Sequence, residues 1–409
     1  MGEDYHMVDR ASHSLSTVQL DVFLRGLRHE KPALPFEPTA WEAQAEAVLG
    51  SNAWGYVHGN AGLGQSYDNN RKAFNKWAFI PRRLISAPLP DLGVKLFGRE
   101  YASPLAIAPV GVQRIFNEEG ELATARACAK EHVPFLLSTG ASVGIEAAAE
   151  ANGNGHRWFQ LYWPDNKHNH FTASLLSRAK NNGYEVLVVT LDTFALGWRA
   201  REMDNGYSPF LRPDSIGVAT GFTDPLFRKT FKETYGKDIE DDQGKAAHEW
   251  INIFMPGRSH AWEDLAFLKD HWDGPIVLKG IQSVKDARLA GEHGMHGIVV
   301  SNHGGRQCDG GVASLDSLPE IVAAVGDKLE VLFDSGIRCG ADIAKALALG
   351  AKMVLIGRPF VWGLAMAGED GVRHVLRALL GDLTMTLHLT GIPSVKQKDL
   401  NTSILRRQC

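Results

Sequence analysis

Gly297-Ile298-Val299-Val300-Ser301-Asn302-His303-Gly304-Gly305-Arg306-Gln307 runs from unbroken apolar residues straight into polar side chains and paired glycines. An apolar run of that length without alternation fits a strand covered on both faces, as in a parallel sheet. Working outward, the same texture recurs at Leu105–Val110, Pro134–Leu137, Trp158–Tyr162, Val186–Leu191 and Pro275–Leu278 on one side, and at Val331–Phe333 and Met353–Ile356 on the other. Helical periodicity fills the intervals. Glu119–His132 spaces Leu122, Ala125 and Ala129 as one helix face, Thr172–Asn181 is a second helix, and a third opens at Ser283 with Asp286 placed as a capping partner. Asp342–Leu349 is a fourth, stopped by Gly350. Eight such runs predict an α/β fold, a (β/α)8 TIM barrel, with a doubly wound open sheet as the competing architecture.

The remainder is arranged around that barrel. Residues 1–100 read as an N-terminal helical cover within the same domain, with short helices at Leu20–Leu27 and Trp41–Val48 separated by Pro32, Pro35 and Pro38. The barrel occupies 101–391 and a C-terminal tail 392–409. A lid insertion over about 201–258, after the fourth strand, carries Phe210, Phe222, Phe227, Trp250 and Phe254 and is expected to be ordered. The 409 residues are 44% apolar and 22% charged with a net charge of −4, which excludes a dominantly disordered chain and gives no general attraction to nucleic acid or anionic membrane. Cys128, Cys308, Cys339 and Cys409 are scattered, which argues against a zinc ribbon or a disulfide framework; no metal site is expected. The polar Met1–His6 stretch is no secretory signal, Met7 spoils a myristoylation motif at Gly2, and no apolar run is long enough to span a bilayer, so a cytoplasmic location is expected.

Barrel enzymes carry their chemistry at the C-terminal ends of the strands. Read in order, those ends supply Pro109, Val110 and Gly111; Ser138; Gln160 and Tyr162; Thr190, Asp192 and Arg199; Lys279; Ser301, His303 and Arg306; Asp334, Ser335, Gly336 and Arg338; and Gly357 and Arg358. The glycines and arginines of the last two ends suit a phosphate, since glycine admits backbone N–H groups close to an anion and arginine adds a forked charge. Asp192 is suited to orient His303 and leave its other nitrogen to take a proton, while Arg199 and Arg306 are suited to hold a carboxylate. A base facing an anchored carboxylate points to oxidation at a 2-hydroxy carbon or to proton abstraction beside the carboxylate.

Ser301–Gln307, together with Trp158-Phe159-Gln160-Leu161-Tyr162, Thr190-Leu191-Asp192-Thr193, Leu278-Lys279-Gly280, Phe333–Arg338 and Ile356-Gly357-Arg358-Pro359, resembles the ordered signature of the FMN-dependent 2-hydroxy acid oxidase and dehydrogenase family from about Tyr56 to about Gly391. Gly55-Tyr56-Val57, Gly197-Trp198-Arg199, Thr223-Asp224-Pro225 and Trp262-Glu263-Asp264 are most similar to its lactate 2-monooxygenase branch. The resemblance implies FMN as cofactor, with Gly336, Arg338, Gly357 and Arg358 at its phosphate and Asp334 and Ser335 at its ribityl chain. It places Pro109, Val110, Gly111, Ser138, Gln160 and Thr190 around the ring system, and Lys279 and Ser301 beside the same cofactor. It implies His303 as the base supported by Asp192, Arg199 and Arg306 as the carboxylate clamp, and Tyr56 and Tyr162 as hydrogen-bonding partners of the substrate. Hydride and carbanion routes both remain open.

The expected substrate is therefore an L-2-hydroxy acid, lactate by the nearest branch or a larger one such as mandelate. The expected oxidant is molecular oxygen, with or without decarboxylation of the keto acid inside the site, and homo-oligomers, tetramers or octamers, are common in such a family. Gly140 stands where some members carry a bulky aromatic, which suggests a roomier pocket, and Gly111 suggests space for oxygen. His58 beside Tyr56 is a departure. A hydrolase alternative rests on Gly140-Ala141-Ser142-Val143-Gly144 with Ser142 as nucleophile, but it leaves the Ser301–Gln307 and Gly357–Pro359 segments unexplained. Gly59–Gly64 resembles a dinucleotide loop only superficially, with no strand before it.

Overall fold

A computed structural model describes residues 17–86, 89–211 and 216–408. The readings made for Met1–His6, Gly2, Met7 and Cys409, and residues 212–215 of the insertion, lie outside it.

The eight apolar runs form eight parallel strands, β1 Leu105–Ile107, β2 Phe135–Ser138, β3 Arg157–Tyr162, β4 Val186–Thr190, β5 Ile276–Ile281, β6 Gly297–Val300, β7 Glu330–Phe333 and β8 Met353–Ile356. Ladders join β2 through β8 in order and β8 to β1. At the last junction the Ile107 N–H donates to the Pro134 carbonyl at 3.3 Å, so the sheet is a nearly closed barrel. Runs such as Val186-Leu187-Val188-Val189 are wholly buried because barrel interior and helical jacket cover them on opposite faces. The register aligns the functional ends. Ser138 lies opposite Gln160, Tyr162 opposite Thr190, Thr190 opposite Lys279, and Lys279 opposite Val299, two residues before Ser301.

The other end of the barrel is covered by a hairpin of Val94–Leu96 and Arg99–Tyr101. Its Tyr101 and Phe97 rings meet the Trp158 ring edge-on at 5.9 and 6.1 Å, near the start of β3. The N-terminal segment contains helices Thr17–Gly26, Pro38–Val48, Ser51–His58 and Gln65–Asn75. Two were expected. Ser51–His58 and Gln65–Asn75 were not, and the second explains why. It is polar nearly throughout and packs through Ser66, Asn70, Ala73 and Phe74, so no apolar stripe marks it. The C-terminal tail returns to this segment, Leu405–Arg407 pairing antiparallel with Trp77–Phe79.

The insertion is ordered where it is described, with helices Ala200–Asp204, Ala219–Phe222, Pro225–Tyr235 and Gln243–Phe254. Asp224 caps the third of these, accepting N–H groups of Leu226 and Phe227, with Pro225 in the first turn. Trp250, Phe227 and Phe171 stack their edges into a shared aromatic cluster.

The long helical element Arg358–Thr390 breaks at Ala367–Gly368, where the backbone leaves helical geometry, and folds back on itself. Gly363 and Gly371 allow that fold, because a Cβ on Gly371 would run into the Gly363 carbonyl. Gly371→Ala should cost about 1–3 kcal/mol through overpacking, seen as a lowered melting temperature. An unchanged melting temperature would show that the two arms can part freely.

Candidate active site

His303 follows β6 and adopts left-handed backbone geometry, φ 58°, as do Gly304 and Gly305 after it. That conformation is strained for a side chain with a Cβ and persists only where surroundings fix it. Two hydrogen bonds do so: the His303 N–H donates to Ser301 Oγ at 3.1 Å, and the Gly304 N–H to Ser335 Oγ at 3.0 Å. The ring then meets Asp192 after β4, with Nδ1 2.8 Å from Oδ1. Thr193 Oγ1 donates to the same carboxylate oxygen at 2.9 Å. Burial alone would push the Asp192 carboxyl up, but the charges of His303 and Lys279 and the hydrogen bonds from His303 and Thr193 outweigh it and hold it well below the usual carboxylate range. An ionised carboxylate only accepts, so the imidazole proton sits on Nδ1 and Nε2 keeps its lone pair. Gly280 makes room for this pair: at φ 102° it is already in glycine territory, and a Cβ there would stand 3.0 Å from the Asp192 carboxylate carbon. For His303 burial is the largest influence and lowers its pKa; Asp192 opposes, and Lys279 and Arg199 push the same way as burial.

His303 lines a cavity at the strand ends whose open space, counted out through its mouth, is about 960 Å³. Arg199 and Arg306 line it as well. Their guanidiniums meet at Glu202, whose Oε1 accepts from Arg306 Nη2 at 3.1 Å and from Arg199 Nη1 at 3.4 Å. Arg199 Nη2 also donates to Gln307 Oε1 at 2.8 Å, and Arg306 Nη1 to the carbonyls of Tyr56 and Gly59. Two cations sharing one carboxylate leave one net positive charge, and both forks retain N–H groups for an incoming anion. Tyr56 lies under the Arg306 guanidinium, 5.0 Å from its ring centre, and Tyr162 lines the same cavity. Burial pushes both phenols up, so both stay protonated at neutral pH.

Lys279 is buried, with Nζ 3.1 Å from Ser301 Oγ and 3.3 Å from Asp334 Oδ2. Burial pulls its pKa down, yet Asp334 and Asp192 more than compensate, so it remains charged. Pro109, Val110, Gly111, Asp334, Ser335, Gly336, Arg338, Gly357 and Arg358 complete the predicted part of the lining.

The profile of the FMN-dependent dehydrogenase family matches residues 45–407. The chain belongs to that family. It is 58% identical to an FMN-dependent alpha-hydroxy acid dehydrogenase of Schizosaccharomyces pombe, with 95% of each chain covered. It is 38% identical to an L-lactate oxidase of Lysinibacillus sphaericus, over 93% of this chain and 95% of the relative. A solved structure of mandelate oxidase superimposes with a TM-score of 0.78 at 36% identity, covering 92% of this chain and 99% of that one.

FMN is the cofactor of this family, and the lining suits it. Arg338 and Arg358 sit at one end, and Arg358 lies at the start of the helical element Arg358–Thr390, where backbone N–H groups favour an anion. Burial pulls the Arg358 pKa down, and the charges of Arg306 and Arg338 add to it; a phosphate would relieve that crowding. Arg358 already spends donors on the carbonyls of Val57, Gly59 and Gly304 and on Asn60 Oδ1, so it ties the N-terminal cover to this end.

Ser138, Gln160, Thr190, Ser301 and Asp192 do not line the cavity. The first three form one buried chain, Ser138 Oγ donating to Gln160 Oε1 at 2.8 Å and Gln160 Nε2 to Thr190 Oγ1 at 3.0 Å. Ser301 and Asp192 hold Lys279 and His303 from behind. Three readings need correction. Ser142 donates to Glu121 and accepts from the Arg114 N–H, so its hydroxyl is committed away from His303 and no nucleophile elbow forms. A Cβ on Gly111 would stand 2.5 Å from the Gly140 carbonyl oxygen, so packing, not space for oxygen, accounts for that glycine. Gly140 opens no extra room, because the Phe210 ring covers it, 3.1 Å from where a Cβ would be. His58 is half-buried, paired with Glu42 at 2.9 Å and stacked on Trp54.

Sequence reasoning gave no site role of their own to Thr193, Glu202, Phe210 or the amide pair Asn70–Asn302. Glu202, three residues after Arg199 in a short helix, could have been suspected from that spacing. Asn70 carries no local signal. Its amide exchanges hydrogen bonds of 2.7 and 2.9 Å with Asn302, one residue before the base, and accepts the Ser314 N–H. Asn70→Ala should leave buried polar groups unpaired, costing about 1–3 kcal/mol. A lowered melting temperature accompanied by a fall in kcat larger than any change in KM is expected; unaltered kcat would show that His303 holds its place without this pair.

Proposed function

We propose that the protein oxidises a short L-2-hydroxy acid to the 2-keto acid with molecular oxygen as the final oxidant. The observation that carries this is the convergence, on one cavity, of a His303 Nε2 lone pair and a two-arginine anion site of net charge +1, which matches a monocarboxylate bearing a proton to be removed. The names of the relatives, an alpha-hydroxy acid dehydrogenase and a lactate oxidase, support the same substrate class.

Bound FMN supplies a two-electron acceptor. Pro109, Val110, Gly111, Lys279, Asp334, Ser335, Gly336, Arg338, Gly357 and Arg358 would hold it, and Ser138, Gln160, Thr190 and Ser301 would brace that wall. Arg199 and Arg306 bind the substrate carboxylate and fix its orientation; Tyr56 and Tyr162 donate hydrogen bonds to its oxygens. His303 Nε2 takes the proton, from the 2-hydroxyl or from Cα, and Asp192 stabilises the imidazolium that results. Lys279 contributes a fixed positive charge, preorganised at no cost during the reaction. The oxidase outcome gives keto acid and peroxide; the monooxygenase outcome consumes both inside the site.

Anaerobic bleaching of the flavin by lactate, followed in air by product analysis, tests the assignment: pyruvate with peroxide, or acetate with carbon dioxide, is expected. A flavin that no 2-hydroxy acid bleaches would overturn it. His303→Gln should lower kcat by about 10²–10⁴-fold, the usual contribution of a positioned base. Because the base must be neutral, kcat/KM should fall on the acid side through the lowered pKa of His303, below the ordinary imidazole range. Asp192→Asn removes the charge that raises that pKa, so the acid limb should move lower still while the plateau drops; an acid limb moving to higher pH would contradict the pairing.

A further inference from the structure

The apolar side of the cavity contains an aromatic ring that comes from the insertion and not from a barrel strand. Phe210 is 5% exposed and lines the cavity with Phe116, Leu196 and Met255, as do the arginines and His303. Its ring is boxed in. A Cβ on Gly140 would stand 3.1 Å from its Cε1, a Cβ on Gly217 would run into it, and Phe254 meets it edge-on at 6.0 Å. Gly140 has no positive φ, so its backbone would accept a side chain; what crowds one is the Phe210 ring, which would have to give way.

A substrate whose carboxylate sits at Arg199 and Arg306, with its Cα facing His303, must send its side chain into the remaining apolar lining. We propose that Phe210 is the specificity-determining residue: its ring takes the volume that a large residue at position 140 would fill, and so limits the substrate to a short aliphatic side chain. This rests on the 2-hydroxy acid assignment above. It also accounts for the pairing of residue types, since the Phe210 ring leaves little space for a side chain at position 140.

The test is a swap, run on the FMN-loaded protein as wild type, Phe210→Ala, Gly140→Phe and the double variant. The ratio of kcat/KM for lactate over mandelate should favour lactate in wild type, fall at least about tenfold in Phe210→Ala, and recover in the double variant. Calorimetric affinities for pyruvate and phenylglyoxylate should move the same way without turnover. Gly140→Phe alone should lower the melting temperature, and adding Phe210→Ala should restore most of it. Equal losses for both acids in Phe210→Ala, selective loss of mandelate, or tolerance of Gly140→Phe beside an intact Phe210 would each overturn the proposal. Should no hydroxy acid reduce the flavin in wild type, the assigned function fails, while the melting temperatures still decide whether the two positions exclude one another.

Discussion

An ionised carboxylate held against a buried imidazole is the interaction on which the rest of this site depends. Asp192 and His303 come from loops after different strands, and each is unfavourable alone: burial opposes the charge on Asp192 and the proton on His303. Together they fix a tautomer, and with it the direction in which a proton can move. Much of the neighbouring structure serves that contact. Gly280 yields space, Thr193 shares the carboxylate, and Ser301 holds the strained His303 backbone while also receiving Lys279. Local strain of this kind costs of order 1–3 kcal/mol and must be overdetermined by its surroundings.

Charge at the cavity is only partly balanced: Lys279 and the Arg199–Arg306 pair meet buried carboxylates, but the arginines outnumber theirs. Lys279 faces Asp334 and Asp192; Arg199 and Arg306 share Glu202. At the Arg358 end, among the described residues, no carboxylate pairs with the guanidinium, and the repulsion from Arg306 and Arg338 is opposed by Tyr67 and Glu42. The two places where positive charge exceeds negative are thus the two where anions belong, a carboxylate and a phosphate. A fully neutralised site would be more stable by itself and would bind neither.

The barrel was legible in the sequence because every strand is covered on both faces, which leaves runs such as Gly297–Val300 and Met353–Ile356 with no alternation to blur their limits. The polar ends were legible for the same reason, standing out against those runs. What stayed hidden has a common physical character. Gln65–Asn75 packs through polar side chains, and Asn70 reaches Asn302 across more than two hundred residues, so neither periodicity nor spacing marks them. Ser138, Gln160 and Thr190 were found as strand-end residues, but cross-strand register, which no single run contains, makes them one buried chain. Gly111 and Gly140 were misread because a glycine reports only that something lies close by, not whether it is space, backbone or a ring from elsewhere.

That last ambiguity bears on how the protein divides its labour. The groups suited to move a proton and hold a phosphate sit on strand ends, where the hydrogen-bonded barrel limits their displacement. The groups suited to feel the substrate's side chain, Phe210 and Met255 among them, come from the insertion, whose packing depends on its own aromatic cluster around Trp250. Changing the second set does not require disturbing the first. A ring at position 140 would have been fixed to the barrel, adjacent to the backbone contact between Gly111 and the Gly140 carbonyl. Placing it on Phe210 moves the size limit onto a segment that can be repacked while the base, its carboxylate and the anion sites stay where they are.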